Sequence, residues 1–197
     1  NHHSDYDASF KIWSLCEDTF SGQDQIKSKR ETYLKYPFEG LDLSNSDALQ
    51  RYDSFIGSAH YENFVEWAVS DLKAGLFREA IKNDGFNSEL IKMISLEEKA
   101  RDLAQLVLIY GRAFVLCDFP SVDLTTYTLE QQLSENVLPI IAIYPPKQVI
   151  NWQTSNEKLS KVVIEEYYSE QIDEFTSEEK IQYRVLDVEK GIYRVRI

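Results

Sequence analysis

The sequence is poor in the residues from which many catalytic centres are built. It contains 3 histidines, 2 cysteines and 7 glycines among 197 residues. His2 and His3 are adjacent to each other and His60 stands alone, so no metal-ligand spacing is formed. No nucleophile elbow is present, and 7 glycines leave little material for a glycine-rich phosphate loop. The sequence therefore indicates no enzymatic activity and no cofactor.

Long hydrophobic runs are also missing. No apolar stretch approaches the roughly 20 residues that a membrane helix needs, so we expect no membrane contact. No signal peptide is recognisable. Cys16 falls on a predicted helix and Cys117 within an apolar strand, and we expect both to be buried free thiols in a reducing cytoplasm. Because the sequence begins without methionine and stops within a predicted strand, we interpret it as a piece of a longer protein.

Positive charge is scarce. Lysine and arginine total 21 against 33 aspartates and glutamates, which gives a net charge of −12. Proteins that wrap nucleic acid gain affinity by neutralising phosphates, so this balance argues against a broad DNA-binding surface. It remains compatible with a few local basic contacts, or with a surface past which DNA slides. Hydrophobic residues make up 43% of the chain, which is enough for a folded core.

The first half of the chain has helical periodicity. Aromatic residues from Tyr6 to Phe20 share one helical face, which ends at Gly22. Ser46 is predicted to cap a long amphipathic stretch, interrupted at Gly57-Ser58, whose stripe would continue over a second helix from Tyr61 to Leu76. Further helices are predicted at Ser88–Ile94 and from a Ser95 capping box to Gly111, with Gly111 in the left-handed cap conformation.

The second half is rich in strands. The apolar run Ala113–Asp118 predicts a strand covered on both faces, and Ile140–Tyr144 predicts another. Thr128 to Gln131 fits a capping box. The segment from the Pro145-Pro146 break to Asn151-Trp152 is interpreted as a turn, and the acidic segment Ser169–Lys180 as a loop. The remaining strands are predicted at Leu159–Tyr168, Ile181–Val188 and Ile192–Ile197.

These patterns predict an α+β fold, with a helical amino-terminal half packed on a mixed or antiparallel β region. We divide it into a helical part, residues 1–110, and a β-rich part, residues 111–197, of one continuous domain.

Individual polar residues allow two kinds of interpretation. Asp118, Glu157 and Lys158 loosely resemble the two carboxylates and the lysine of a nuclease magnesium site. In that motif one residue separates the second carboxylate from the lysine, whereas Glu157 and Lys158 are adjacent. Asp118 ending a strand is the simpler interpretation. Arg112, just past a helix, is favoured as a structural cation, with a subunit or DNA phosphate contact as the alternative. Trp152 is predicted to wedge between helix and sheet and Asn151 to hold a turn, with an interface role as the alternative.

The order of motifs resembles one branch of the tailed-bacteriophage portal proteins over nearly the whole chain. The most informative part of this order lies between Leu106 and Trp152 and includes Tyr110, Gly111, Arg112, Asp118, Pro120, Tyr144, Pro145, Asn151 and Trp152. The other matching residues are Phe10, Trp13, Cys16-Glu17-Asp18, Tyr33-Leu34, Asn63-Phe64, Asp71-Leu72, Gly75-Leu76-Phe77-Arg78, Gln182 to Leu186 and Gly191 to Val195.

The resemblance implies a structural function. Portal proteins form a ring of identical subunits, typically twelve, through which double-stranded DNA is packaged into the capsid and later ejected to the tail. The chain would be the amino-terminal portion of the wing, with the stem and clip following residue 197. The implied partners are further copies of the chain, the major capsid protein, the terminase, head-tail adaptor proteins and the passing DNA. The implied location is the virion, after assembly in the host bacterial cytoplasm. An unrelated acidic protein-binding module is the remaining alternative.

Overall fold

In a computed structural model, the protein is an α+β protein, and six of its helices precede its first strand. The structure describes residues 1–36, 45–82, 85, 88–119, 128, 130–131, 135, 137–189 and 192–197. The helices within these ranges are α1 (Ser4–Ser21), α2 (Gln23–Ser28), α3 (Ser46–Ser58), α4 (Phe64–Leu76), α5 (Ser88–Met93) and α6 (Leu96–Tyr110). Short 3-10 turns lie at Arg30–Thr32 and Pro146–Gln148.

The strands form two antiparallel sheets. β1 (Phe114–Asp118) pairs with β2 (Ile140–Tyr144). The second sheet has the order β3-β4-β5-β6, made of β3 (Val149–Ser155), β4 (Lys158–Gln171), β5 (Ser177–Glu189) and β6 (Ile192–Arg196). Each strand pairs with the next in sequence, so tight turns can connect them and no crossover is needed.

The chain divides into two compact units. Unit 1 comprises Asn1–Trp13 and Ala80–Ile197, and unit 2 comprises Ser14–Glu79. Helix α1 therefore contributes its first half to one unit and its second half to the other. The change from helix to strand, near residue 110, lies inside unit 1.

The core of unit 1 forms where the beginning of α1 packs on the four-stranded sheet. Tyr6, Trp13 and Ile150 are buried together, with Tyr110, Trp152 and Val163 packed around them. The Tyr6 hydroxyl donates to the carbonyl of Lys147 at 3.0 Å, and the His3 N–H donates to the carbonyl of Ile150 at 3.0 Å. These bonds fix the helix end against the start of β3.

The core of unit 2 is small and contains buried polar groups. Ile26, Tyr52, Ile56 and Val69 are buried. The Tyr52 hydroxyl is satisfied by the Leu34 carbonyl at 2.8 Å. Burying a hydroxyl is favourable only with such a partner.

Several predicted elements are confirmed. Gly22 ends α1 with φ of 89°, and the interruption near Gly57 separates α3 from α4. The Thr128 capping box is present: the Gln131 N–H donates to the Thr128 Oγ1 at 3.2 Å, and the Thr128 N–H donates to the Gln131 Oε1 at 2.9 Å.

Two predicted helix caps are wrong. Ser95 lies in the left-handed region with φ of 50°, and its side chain makes no capping bond. Ser46 is the first residue of α3 rather than its cap, because the Asn45 side chain accepts from the Asp47 N–H. The Asn63 side chain caps α4 by accepting from the Glu66 N–H at 3.0 Å, which the sequence analysis did not predict.

The predicted burial of two segments is also wrong. Cys117 is exposed and Val115 is 46% exposed, so β1 is not covered on both faces; Cys16 is half-buried. In α4 the buried side chain is Val69. The predicted inward stripe of Phe64, Val65, Ala68, Leu72 and Leu76 is exposed.

The largest corrections concern the four-stranded sheet. The segment with Asn151 and Trp152, predicted as a turn, is strand β3. The predicted loop Ser169–Lys180 is mostly strand, since Ser169 pairs with Glu179 and Gln171 pairs with Ser177. The sequence analysis took prolines and charged residues as evidence against strands. An antiparallel sheet is held by backbone hydrogen bonds and accepts polar side chains on its exposed faces, so these residues do not exclude a strand.

Gly111 behaves as predicted. It ends α6 with φ of +76°, and its N–H donates to the Val107 carbonyl at 2.9 Å. A β-carbon at this position would meet nothing within 4 Å, so substitution is opposed by backbone conformation alone. We expect Gly111→Ala to lower the free energy of unfolding by about 1 kcal/mol and Gly111→Val by more. Urea denaturation checks this, and an unchanged midpoint would contradict it. Gly75→Ala, within a helix and with open space around it, is the control and should be neutral or stabilising.

Candidate functional site

The motif residues between Tyr110 and Trp152 lie in two parts of unit 1, an aromatic core and a polar cluster. Tyr110 and Trp152 lie around the aromatic core. The Arg112 guanidinium lies over the Trp13 ring, 5.7 Å from its centroid, which is within cation–π distance. The Trp152 ring stacks on the His3 imidazole at 4.1 Å between centroids. These contacts fix side chains in the fold.

Pro145 and Asn151 act on the backbone next to this core. Pro145 is extended, with φ of −64°, and its carbonyl accepts from the Gln148 N–H at 3.0 Å to form the short turn before β3. The Asn151 side chain donates to the Asn1 carbonyl at 2.6 Å. Asn151 therefore ties β3 to the segment before α1 rather than holding a turn.

Tyr144 belongs to the second place, a polar cluster around Glu166. The Glu166 carboxylate accepts from the Tyr144 hydroxyl at 2.6 Å, from Gln182 Nε2 at 2.8 Å and from Arg184 Nε at 2.8 Å. Glu166 and Arg184 have side chains only 12% and 24% exposed. A carboxylate that is mostly buried and has three donors is a well-satisfied ion, so the cluster holds the end of β2 against the face of β4 and β5.

The acid-base properties of this cluster indicate a structural role. Burial raises the pKa of Tyr144, and the Glu166 carboxylate raises it further, to about 12. Burial also raises the pKa of Glu166, but the bonds from Arg184, Tyr144 and Gln182 outweigh it and leave that pKa lowered. Near neutral pH the phenol stays protonated and the carboxylate stays ionised, so neither group is poised to transfer a proton.

Asp118 lies at the end of β1, and its carboxylate accepts from the N–H of Phe119 at 2.8 Å. The hydrogen bond with Glu166 raises the pKa of Arg184, and the charge of Asp118 makes a smaller contribution in the same direction. Pro120 lies outside the described residues.

Among the described residues, no hydrogen bond or ion pair joins Asp118 to Glu157 or Lys158, the residues of the nuclease alternative. Glu157 is in the β3–β4 turn with φ of 63°, and Lys158 begins β4. In the described part of the chain, no group of three or more His, Cys, Asp or Glu residues is arranged to hold a metal ion.

Two further buried carboxylates organise the fold. In unit 2, Asp18 is 2% exposed and accepts from the Tyr33 hydroxyl at 2.6 Å, from Gln25 Nε2 at 2.8 Å and from Lys29 Nζ at 3.0 Å. In unit 1, Asp187 accepts from Arg194 Nε at 2.8 Å and from Arg196.

Sequence reasoning missed Glu166 and Asp187 as organising residues and did not identify the role of Asp18. Strand alternation carried a signal for Glu166, because it shares a face with the buried Ile164. Nothing local marks Asp18 among the many acidic residues, since its partners lie 7, 11 and 15 residues further along the chain.

No protein-family model matches the chain, and a search of curated proteins finds no match. Among the helices that the structure describes, none is both long and apolar enough to span a bilayer.

Proposed function

We propose that the chain is a non-enzymatic structural subunit, the amino-terminal wing portion of a phage portal. Twelve copies of the complete protein would form the ring through which double-stranded DNA enters the capsid and leaves to the tail. In this proposal the ring occupies one capsid vertex, contacts the major capsid protein, and receives the terminase and the head-tail adaptor proteins. It assembles in the bacterial cytoplasm.

One observation carries the proposal: the motif residues meet in the interior of the fold rather than around a reactive centre. Trp13, Tyr110 and Trp152 come from three distant segments and share one core. Tyr144 comes from one motif, Gln182 and Arg184 come from another, and all three share one carboxylate. A motif set that specifies a scaffold is what a structural subunit requires, whereas an enzyme needs reactive groups converging on a cleft.

The distribution of apolar side chains supports assembly with other chains. On α4 alone, Phe64, Trp67, Leu72 and Leu76 are each more than half exposed. Contiguous exposed apolar surface of this kind marks protein–protein contacts in soluble proteins. The net charge of −12 supports a channel wall past which DNA moves without adhering, because few cations are available to neutralise phosphates.

Mass measurement and negative-stain imaging of the complete gene product test this proposal. We expect a particle of about twelve subunits with a central channel, because heterologous contacts that close make rings. The isolated 197-residue chain, incubated with plasmid DNA and magnesium, should leave the DNA intact, and its affinity for duplex DNA should be on the order of 10⁻⁴ M or weaker at physiological salt.

A monodisperse monomer would contradict the proposal. DNA cleavage that disappears in Asp118→Asn would instead support the nuclease alternative, because removing a metal-binding carboxylate abolishes metal-assisted hydrolysis.

A further inference from the structure

Strands β4 and β5 continue well beyond the strands that flank them. The last β4 residue paired with β3 is Ile164, and β6 pairs with β5 only from Val185 onward. Seven further pairs, from Glu165–Tyr183 to Gln171–Ser177, form a two-stranded stretch about 20 Å long with no flanking strand among the described residues. We call residues 165–183 the ribbon.

The ribbon has two faces of different composition. Residues that are directly paired in an antiparallel ladder point to the same side, so alternate pairs share a face. One face carries Tyr167, Ile181 and Tyr183, which are 57%, 53% and 50% exposed. We call it the tyrosine face, and its successive pairs are Glu165–Tyr183, Tyr167–Ile181, Ser169–Glu179 and Gln171–Ser177.

The opposite face of the ribbon holds charges that are already matched. The Glu166 carboxylate accepts from Arg184 Nε at 2.8 Å. The Lys180 ammonium forms an ion pair with Glu170 and lies 4.0 Å from the Glu178 carboxylate. Three carboxylates are therefore offset by two cations on this face.

On the tyrosine face the charges are unmatched. Glu165 and Glu179 are its two charged residues. Glu165 accepts a hydrogen bond from the Tyr167 hydroxyl at 2.6 Å. Neither carboxylate forms an ion pair with any residue that the structure describes. The face therefore combines two negative charges with exposed tyrosine rings and an exposed isoleucine.

The surroundings of the tyrosine face do not supply the missing cations. Towards the end of the ribbon, the next charged residues are Asp173 and Glu174. Towards the sheet, Arg194 and Arg196 both bind Asp187. Over the complete hairpin of β4 and β5, residues 158–189, the 9 acidic and 4 basic residues give a net charge of 4 − 9 = −5. A ligand of this face should therefore be positively charged.

The tyrosine rings make arginine the cation that fits best. Tyr183 lies directly opposite Glu165, and the side chains of such a pair begin about 5 Å apart. A guanidinium can lie over the ring and donate two hydrogen bonds to the carboxylate at the same time. The ammonium of lysine is more strongly hydrated and has no planar fork for a carboxylate.

The spacing of the pairs determines the shape of the ligand. Successive pairs on one face of a ribbon are roughly 7 Å apart, and an extended peptide repeats its side chains at the same interval. Alternate residues of such a peptide can therefore meet three successive pairs. The first pair offers Glu165 beside the Tyr183 ring, the second offers Tyr167 and Ile181, and the third offers Glu179.

We propose that the tyrosine face binds an extended basic segment of another protein, in which two arginines lie four positions apart with an apolar residue midway between them. The arginines bind Glu165 and Glu179, and the apolar residue covers Ile181. The contact uses residues of unit 1 alone and does not depend on ring formation.

Binding of a synthetic peptide measures this contact. The probe is a fluorescein-labelled peptide of about ten residues with the two arginines, a valine midway between them and threonine, a good strand former, elsewhere. Titration with the 197-residue chain should raise the fluorescence anisotropy saturably. A peptide with citrulline, which is uncharged but similar in shape, in place of both arginines should bind about tenfold more weakly, because two ion pairs are lost.

Matched variants separate the tyrosine face from general acidity. Glu165→Gln combined with Glu179→Gln should lower the affinity for the arginine peptide about tenfold. Glu170→Gln combined with Glu178→Gln removes the same charge from the opposite face. At about 0.1 M salt, where exposed charges more than roughly 10 Å apart are screened, it should change the affinity less than about twofold. Circular dichroism of both double variants confirms that the fold is kept.

Substitution of Tyr183 tests the aromatic part of the contact. Tyr183→Ala should lower the affinity several-fold, because the guanidinium loses the ring over which it lies. Tyr183→Phe keeps the ring and should bind the peptide nearly as well as the parent chain.

The inference is overturned by equal affinity for the arginine and citrulline peptides, by equal losses in the two double variants, or by the absence of saturable binding up to about 0.5 mM chain. Sedimentation of the chain alone identifies a competing occupant. A dimer that excludes the peptide and dissociates in Tyr183→Ala would assign the tyrosine face to a second copy of the chain, which also overturns the inference.

Discussion

Asp18→Ala should lower the free energy of unfolding by about 3 kcal/mol, because removing one partner of a buried ionic cluster leaves the others unsatisfied. The carboxylate is 2% exposed, and its three donors lose their common acceptor in this variant. Lys29, at 39% exposure, recovers part of its hydration, which keeps the cost below the upper end for buried pairs. Asp18→Asn, which keeps the shape and one acceptor oxygen, should cost less than Asp18→Ala.

The matched control is Asp53→Ala in the same unit. Asp53 also pairs with a cation, Arg30, at 2.8 Å, but both side chains are about half exposed. Exposed ion pairs contribute about 0–1 kcal/mol, so this variant should remain close to the parent protein. Urea denaturation followed by circular dichroism compares the two, and equal losses for Asp18 and Asp53 would show that the Asp18 cluster does not stabilise the fold.

The hydrogen-bonded cluster around Asp18 makes the free energy of unfolding depend on pH. Burial raises the pKa of Asp18, but the bonds from Tyr33, Gln25 and Lys29 outweigh it, so the folded-state pKa is lowered. The stabilisation from this carboxylate is therefore present above its unfolded pKa, about 4, and is lost as the pH falls through the lower folded value.

Tyr33, in the same cluster, makes the stability depend on pH at the alkaline end. Burial and Asp18 raise its pKa to about 12, so its contribution is present below pH 10 and is lost as the pH rises through 12. In Asp18→Asn, the melting temperature should fall less at acidic pH than in the parent protein. It should also fall less at alkaline pH, because the Asp18 charge no longer raises the pKa of Tyr33.

Trp13→Ala should have an effect at least as large, about 3–5 kcal/mol, because it opens a cavity in the core of unit 1. Trp13 is 4% exposed, contacts Tyr6 edge to face and lies under the Arg112 guanidinium. Trp13→Phe should recover part of the loss, since an aromatic ring still fills much of the space.

Trp67→Ala is the control for Trp13→Ala. Trp67 is 57% exposed on α4, and surface substitutions usually change stability by no more than about 0.5 kcal/mol. Because both variants alter tryptophan fluorescence, urea denaturation should be followed by far-ultraviolet circular dichroism, and the midpoints compared only at equal m values. A cost for Trp13→Ala as small as that for Trp67→Ala would mean that α1 does not pack on the sheet as described.

Local signals were sufficient where an element depends on its own residues. The apolar stripe of α6 and the glycine after it define the helix from Leu96 to Tyr110, because periodicity and the left-handed cap are both local properties. The two faces of β6 were likewise predictable: Arg194 and Arg196 share one side, and both bind Asp187.

Local signals failed where partners lie far along the chain. β3 contains Asn151 and Trp152 next to two prolines and was interpreted as a turn, but pairing with β4 makes it a strand. The segment Ser169–Lys180 is polar enough to be interpreted as a loop, yet most of it pairs as an antiparallel ribbon of β4 and β5. Among the site residues, Tyr144 and Arg184 lie in motifs that the sequence analysis singled out, but the carboxylate that joins them, Glu166, was found only in the structure.

The bond between the Tyr6 hydroxyl and the Lys147 carbonyl spans 141 positions in sequence, and this has a consequence for synthesis. At translation rates of about 5–20 residues per second, α1 leaves the ribosome roughly 10–30 s before the strand that covers Tyr6 and Trp13 exists. During that interval an aromatic helix face is open to other nascent chains and to chaperones. The core of unit 1 therefore closes late, and the speed of elongation between residues 13 and 150 influences how much of the protein reaches its native state.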